Sequence, residues 1–351
     1  MMRRQAGISL VELMIAMVIG LIIIGAAIGA FLSSRQSYSV QSELIRLQDN
    51  ARFAIDTMQQ SLRQTGFLGC NGAVTPGNTV INDGSLSPFL SEQTILSGGN
   101  NIAAATSFGL PLIANQDWVM VSYADVSEQC VVDSHDVTNA QVSCQATNPF
   151  VQGQLLLATD CKQSIIFQQS NAVNTSNPAA ATARLLEHKN DTAAKPGNCT
   201  QGLGNPVSCT VAGNRYELAR GSIIMALQRS RFVVANNDFN IPTLYQQELT
   251  TNAGELSVNN IELVEGVERM QLLFGLDLNG DGSQLAYLPI NQIDTADYDD
   301  IVGVRVSLLL RSEQANLGDQ TSLTFANETL SFNDGRLRRV YTAHIALRNR
   351  L

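Results

Sequence analysis

Twenty consecutive residues without a charge, Leu13 to Leu32, follow a lone carboxylate at Glu12 and a short basic start containing Arg3 and Arg4. As a helix rising 1.5 Å per residue, such a run is roughly 30 Å long, the thickness of a bilayer's hydrocarbon core. No globular fold of this size needs so long a helix that is apolar on every face, so the chain must leave this one outside its head. The small residues of "GAAIGA" imitate a signal-peptidase site, but a cleaved secretory signal has an apolar stretch of only about 7 to 15 residues. A plain membrane anchor accounts for the arginines on the cytoplasmic side. It gives no reason for Glu12, because a charge at the centre of a span costs roughly 2.5 to 3.5 kcal/mol even on insertion scales.

The helical pattern continues past the membrane. After the polar "SSRQS", apolar residues return as Leu44, Leu47, Ala51, Ala54, Met58 and Leu62, with Arg46, Asp49, Asn50 and Gln60 between them. Spacings of three and four put the apolar set on one face, and Gly66 supplies a C-terminal stop. The expectation is one helix over residues 8–65, roughly 87 Å long, with a transmembrane part at about 8–32 and an amphipathic half packed on a head formed by residues 66–351. In that head, short β-type runs alternate with Gly, Asn, Pro and Ser. The candidate strands are "DWVMVSYADV", "GQLLLATDC", "SIIFQQS", "GSIIMALQRSRFVVA", "IPTLYQQEL", "IELVEGVERMQLLFGLDL", "DIVGVRVSLLLRS" and "LRRVYTAHIALRN". The fold class is therefore α+β, a long N-terminal helix on a mainly antiparallel sheet. Residues 171–214, rich in Asn, Ala, Thr, Gly and Pro, read as an irregular surface insertion.

With 351 residues, 44% of them apolar, the chain can bury a sizeable core, and a net charge of −9 argues against a nucleic-acid-binding face. Six cysteines follow the apolar run without a C-x-x-C pair, which favours disulfides in an oxidising compartment over zinc. Fifteen pairings are open. Sequence-local closure of surface loops would join Cys130 to Cys144 and Cys199 to Cys209, leaving Cys70 for Cys161.

"GISLVELMIAMVIG" resembles the class III signal of type IV prepilins and pseudopilins: a basic leader ending in Gly7, a hydrophobic residue, then an acid as the fifth residue after the glycine. Ile8 stands where phenylalanine is commoner in that family, and Ser9 and Val11 occupy positions that vary. The resemblance implies a leader at 1–7, cleavage after Gly7 by a prepilin peptidase, and N-methylation of Ile8. Cleavage would create a positive α-amino group one turn from Glu12. In a filament the carboxylate can then pair with the amino terminus of a neighbouring subunit, in apolar surroundings where an unpaired charge is expensive.

"GFLGC", "LLATDC", "ELVEGVERMQLLFGLDLNGDG", "VGVRVSLLLRS" and "DGRLRRVYTAHIALRNR", in that order, resemble the PilW group of type IV pilus minor pilins. That implies a pilin-like head, single-pass inner-membrane insertion with the head in the periplasm, and later a place in the surface fibre. The implied partners are other minor pilins, the major pilin, the prepilin peptidase and the inner-membrane assembly platform, and the implied role is to prime assembly, near the tip. A minor pseudopilin of a type II secretion system and a tip adhesin are the alternatives.

The loop "DLNGDGS" spaces Asp277, Asn279, Asp281 and Ser283 as a calcium loop does, with Asp294, Asp297, Asp299 and Asp300 nearby. Leu288 occupies the position where an EF-hand needs a bidentate Glu, and a solvated hairpin turn explains the same residues. Calcium is the only cofactor the sequence suggests. No nucleophile elbow, zincin, P-loop or dinucleotide motif occurs, so no enzyme is expected. Of the three histidines, His135 in "SHD" reads as a loop residue, since triad members are gathered in space rather than side by side in sequence. His344 reads as a sheet-face residue.

Overall fold

The computed structural model describes residues 10–70, 76–82, 86, 89–90, 95–173, 180–190, 194–277, 286–318 and 321–350. Helix α1 runs Leu10–Gln64 without a break, about 83 Å at 1.5 Å per residue. Leu47, Ala51, Ala54, Met58, Leu62 and Thr65 are buried, and their spacing draws one stripe down the C-terminal half. Leu44 is only half-buried, and Asp49 and Gln60 are exposed. The stop has two parts. Gly66 takes φ +83°, the left-handed conformation open to a residue without Cβ. The Asn349 side chain points its Nδ2 at the carbonyls of Arg63, Gln64 and Thr65, 3.2–3.4 Å away, which supplies donors to the orphan C-terminal acceptors.

Among the described residues twelve strands form the first sheet. They are β1 (Pro76–Thr79), β2 (Leu96–Ile102), β3 (Ala105–Ser107), β4 (Leu110–Leu112), β5 (Gln116–Asp136) and β6 (Gln141–Cys144), then β7 (Leu155–Thr159), β8 (Ser164–Gln168), β9 (Leu185–Glu187), β10 (Ile223–Asn236), β11 (Pro242–Asn252) and β12 (Glu255–Glu265). A second sheet is built from β13 (Val267–Leu276), β14 (Ala286–Leu288) and β15 (Ile301–Arg311). A hairpin of β16 (Ser322–Phe325) and β17 (Glu328–Ser331) follows, and β18 (Arg338–Ala346) closes the second sheet in the order β14-β13-β15-β18. Among the described residues β1 pairs with β8 in parallel, whereas β10 with β5, β7 and β11, β7 with β8, β11 with β12, and β13 with β14 and β15 pair antiparallel.

β10 is the hub. It pairs with β5 along one edge, and with β7 and then β11 along the other. Side chains alternate across a strand, and two core clusters divide accordingly. Leu156, Ile165, Phe167 and Ile224 pack on one face with Phe150 and Leu186. Leu157, Ile166, Met225 and Leu227 pack on the other with Phe89 and Met120. A strand covered on both faces reads as a continuous apolar run, which is why "IIMALQ" does not alternate.

Two compact units emerge, one from Met1–Asp49 with Arg311–Arg339, the other from Asn50–Leu310 with Val340–Leu351. Within the larger unit the two sheets are joined by side chains standing in for backbone. Gln116 donates to the Glu268 carbonyl at 2.9 Å and accepts from the Met270 N–H at 2.8 Å. Asp117 accepts from the Leu272 N–H at 2.8 Å and from Asn101 N–H and Asn100 Nδ2 at 3.0 Å. Burial pushes the Asp117 carboxyl up, against the pull of these three bonds. Asp117→Ala strands the buried Leu272 N–H, while the Asn101 N–H belongs to an exposed residue that water can reach, so a loss of about 2 kcal/mol is expected. Chemical denaturation checks it, and Asp117→Asn, which keeps one acceptor oxygen, should lose less.

One element departs from expectation. "IELVEGVERMQLLFGLDL" is not one strand but the end of β12 followed by the whole of β13, which belong to different sheets. Gly266 divides them with φ +84°, a turn that no β-branched residue would tolerate.

Candidate assembly site

The N-terminal half of α1 is exposed on every side. Leu10, Ile22 and Phe31 keep 75%, 65% and 67% of their surface, and Leu13, Ile15, Val18, Ile19 and Leu21 keep 51–69%. The segment has a mean hydropathy of 2.8 over its best window, and none of that window is buried. Such a surface needs lipid or other apolar helices around it. Glu12 lies in the first turn of α1 and is exposed, where a negative charge is favoured by the helix dipole. Gly7 and Ile8, on which the cleavage and methylation expectations fall, lie outside the described residues.

Within the smaller unit, α1 is gripped just beyond the apolar run. Glu43 is 3% exposed and takes hydrogen bonds from the Glu313 N–H at 3.1 Å and Arg46 Nη1 at 3.3 Å. Arg46 Nη2 reaches Glu313 Oε2 at 2.6 Å, and this hydrogen bond raises the guanidinium pKa. The exposed Arg46–Glu313 pair contributes little by itself; the buried Glu43 carboxylate is the member that would suffer if stranded. The same loop holds itself with a bidentate pair, Arg338 Nη1 and Nη2 each 2.8 Å from Asp334. That bonding keeps the Asp334 carboxyl well below the usual carboxylate range.

The structure joins Cys70 to Cys161, Cys130 to Cys144, and Cys199 to Cys209. Cys130 and Cys144 are no surface loop closure. Both are 1% exposed, on the paired strands β5 and β6, inside the core. His135 is not a loop residue either. It sits on β5, buried, with Nε2 3.0 Å from Nε2 of His188. The turn begins one residue later, where Asp136 accepts from the N–H groups of Thr138 and Asn139. His344 lies on β18, its Nδ1 3.3 Å from the Tyr287 hydroxyl.

Of the suggested calcium ligands, Asp277 ends its N–H on the Asp300 carbonyl at 3.0 Å. Asn279, Asp281 and Ser283 lie outside the described residues. Asp294 is employed as the cap of the 3-10 turn Thr295–Asp300, accepting from Ala296 N–H at 3.1 Å. Among the described residues no three His, Cys, Asp or Glu side chains cluster as a metal site would require.

Among the described residues of the expected insertion 171–214, a 3-10 turn at Ala181–Arg184 leads into β9, and several side chains are buried, among them Leu186, His188, Asn198 and Leu203. Asn198 mimics a strand. It accepts from the Gln168 N–H at 2.8 Å and donates to the Gln168 carbonyl at 2.7 Å. The Gln168 side chain spans onward to the Gly153 and Lys195 carbonyls and the Gly197 N–H. Sequence reasoning missed this stitching because Asn and Gln in a polar stretch look like solvent-facing loop.

A membrane-length exposed helix continuing into a half that buries one stripe, with a disulfide-bonded, mainly antiparallel head, is consistent with an α+β pilin fold. A model of the family described as Type IV Pilus-assembly protein W, PilW, matches residues 231–349, and one for the prokaryotic N-terminal methylation motif matches residues 2–28. Together the two matches support a type IV pilus-related pilin of the PilW type. Among solved structures, the Type IV-like pilin TTHA1219 from Thermus thermophilus is similar at 16% identity, over 35% of this chain and 69% of that one, with a TM-score of 0.21. No curated protein matches. The family and fold are those of a structural protein, and the apolar helix with its prepilin motif points to membrane anchoring and pilus assembly.

Proposed function

We propose that this chain is a minor pilin that primes or supports type IV pilus assembly and enters the fibre at low abundance, near its tip. The observation that carries the reading is the pairing of a methylation motif at residues 2–28 with a PilW segment at residues 231–349 in one chain. A prepilin peptidase removes residues 1–7, and Ile8 becomes the N-methylated terminus. The exposed stripe of α1 then passes from lipid to the helices of neighbouring subunits, exchanging one apolar environment for another at little cost in transfer free energy. Glu12 pairs with a neighbour's amino terminus and so fixes register. The head, oxidised and outside the cytoplasm, contacts other minor pilins.

Deleting the gene is expected to reduce or abolish surface pili while the major subunit is still made. Electron microscopy of cells beside an immunoblot for the major subunit reads both. Normal piliation with lost exoprotein secretion would assign the chain to a type II secretion pseudopilus instead. Normal piliation with lost surface attachment would make it a tip adhesin.

A further inference from the structure

We infer that His135 and His188 form an acid-sensitive latch that holds β9 and the stretch Tyr216–Leu218 to the end of β5. The two Nε2 atoms are 3.0 Å apart, and the Leu218 N–H donates to His135 Nδ1 at 3.0 Å. These two contacts fix the tautomers. With Nδ1 accepting, neutral His135 carries its proton on Nε2 and donates it to His188 Nε2, so His188 keeps its own proton on Nδ1.

There is no place for a further proton. On His135 it would occupy Nδ1 and confront the Leu218 N–H. On His188 it would occupy Nε2 and confront the N–H of His135. Either protonation breaks one of two bonds that tie three separate stretches of chain together.

The surroundings oppose a charge as well. His188 is 1% exposed, with the Phe167 ring edge-on at 5.7 Å and the His135 ring at 5.1 Å. Burial lowers His135, against the pull of Glu217 and of Asp136 on its own strand. Burial also brings His188 down to about 3, reinforced by His135 and offset in part by the Gln201 backbone. Asp136 is occupied by Thr138 and Asn139. A base whose pKa is depressed in the fold stabilises it fully above the ordinary histidine value near 6.5 and loses that contribution as pH falls below it. The latch therefore closes at neutral pH and loosens through pH 6 and 5.

What it closes is worth closing. Leu186 on β9 and Leu218 both belong to the buried cluster on that face of the sheet. The ladder of β9 on β6 covers only three residue pairs, too short to hold without support.

Hydrogen exchange read by mass spectrometry, on the full chain in detergent micelles at pH 7.5 and 5.0 and corrected for intrinsic rates, tests this directly. Protection of peptides covering 185–190 and 214–220 should fall at least about tenfold at pH 5.0, with β10 and β11 unchanged. Exchange at the imidazole carbons of the same samples should find both rings titrating below 6. Equal protection at the two pH values, or either ring titrating at the ordinary value, would overturn the latch. So would protection of these peptides by equimolar zinc at pH 7.5, since His135 Nε2 would then be a metal ligand and not a donor.

Discussion

Glu12→Ala is expected to leave the protein inserted in the membrane and processed after Gly7, yet absent from assembled pili. Insertion should not suffer, because removing a carboxylate from an apolar segment makes transfer to lipid easier. The loss arises at assembly. In the fibre the neighbour's amino terminus would sit among the apolar side chains of α1 without its partner, and breaking a buried pair costs about 3 to 5 kcal/mol. At 1.36 kcal/mol per tenfold, incorporation should drop at least about a hundredfold. Immunoblots of sheared pili and of membranes from the same cells separate the two steps. Equal incorporation of the variant would mean the carboxylate has another purpose.

The second large effect is on the head. Replacing Cys70 and Cys161 by serine opens a loop of sequence separation 91, against 14 and 10 for the other two disulfides. On the chain-entropy account the costs are about 4.6, 3.0 and 2.7 kcal/mol respectively. The long closure is also the one that ties the first residues after α1 to the turn between β7 and β8, where Cys70 lies beside Thr159. Denaturant midpoints of the three double-serine variants should therefore rank with the Cys70–Cys161 variant lowest. If the Cys199–Cys209 variant were the least stable, local strain or packing rather than loop closure would govern these bonds.

Much of α1 was legible because two patterns, an unbroken apolar run and then spacings of three and four, each permit only a helix in this length range. The strands of the central sheet were legible as apolar runs. Their partition was not. The division at Gly266 carries a signal, an isolated glycine inside a strand pattern, but nothing in "ELVEGVERM" says that its two halves go to different sheets. His135 was misread because "DSHD" has the composition of a turn, and the turn does exist, one residue further on at Asp136. The amides of Gln116, Gln168 and Asn198 were invisible for a deeper reason. Their partners are backbone groups up to 154 residues away, and side-chain-to-backbone pairing over that distance leaves no periodicity to read. The same holds for His188, whose partner lies 53 residues off.

The site is legible in the opposite sense. Gly7, Ile8 and Glu12, the proposed processing and assembly residues, are defined by order along the chain rather than by a pocket, so the sequence names them and geometry adds only that the N-terminal half of the helix bearing Glu12 is exposed on every side.

Intact-mass analysis of the protein recovered from membranes tests the central claim most directly. A processed pilin predicts a mass equal to residues 8–351, raised by one methyl group and lowered by six hydrogens for three disulfides. A mass that retains residues 1–7, or one that starts after the small residues near position 30, would contradict it.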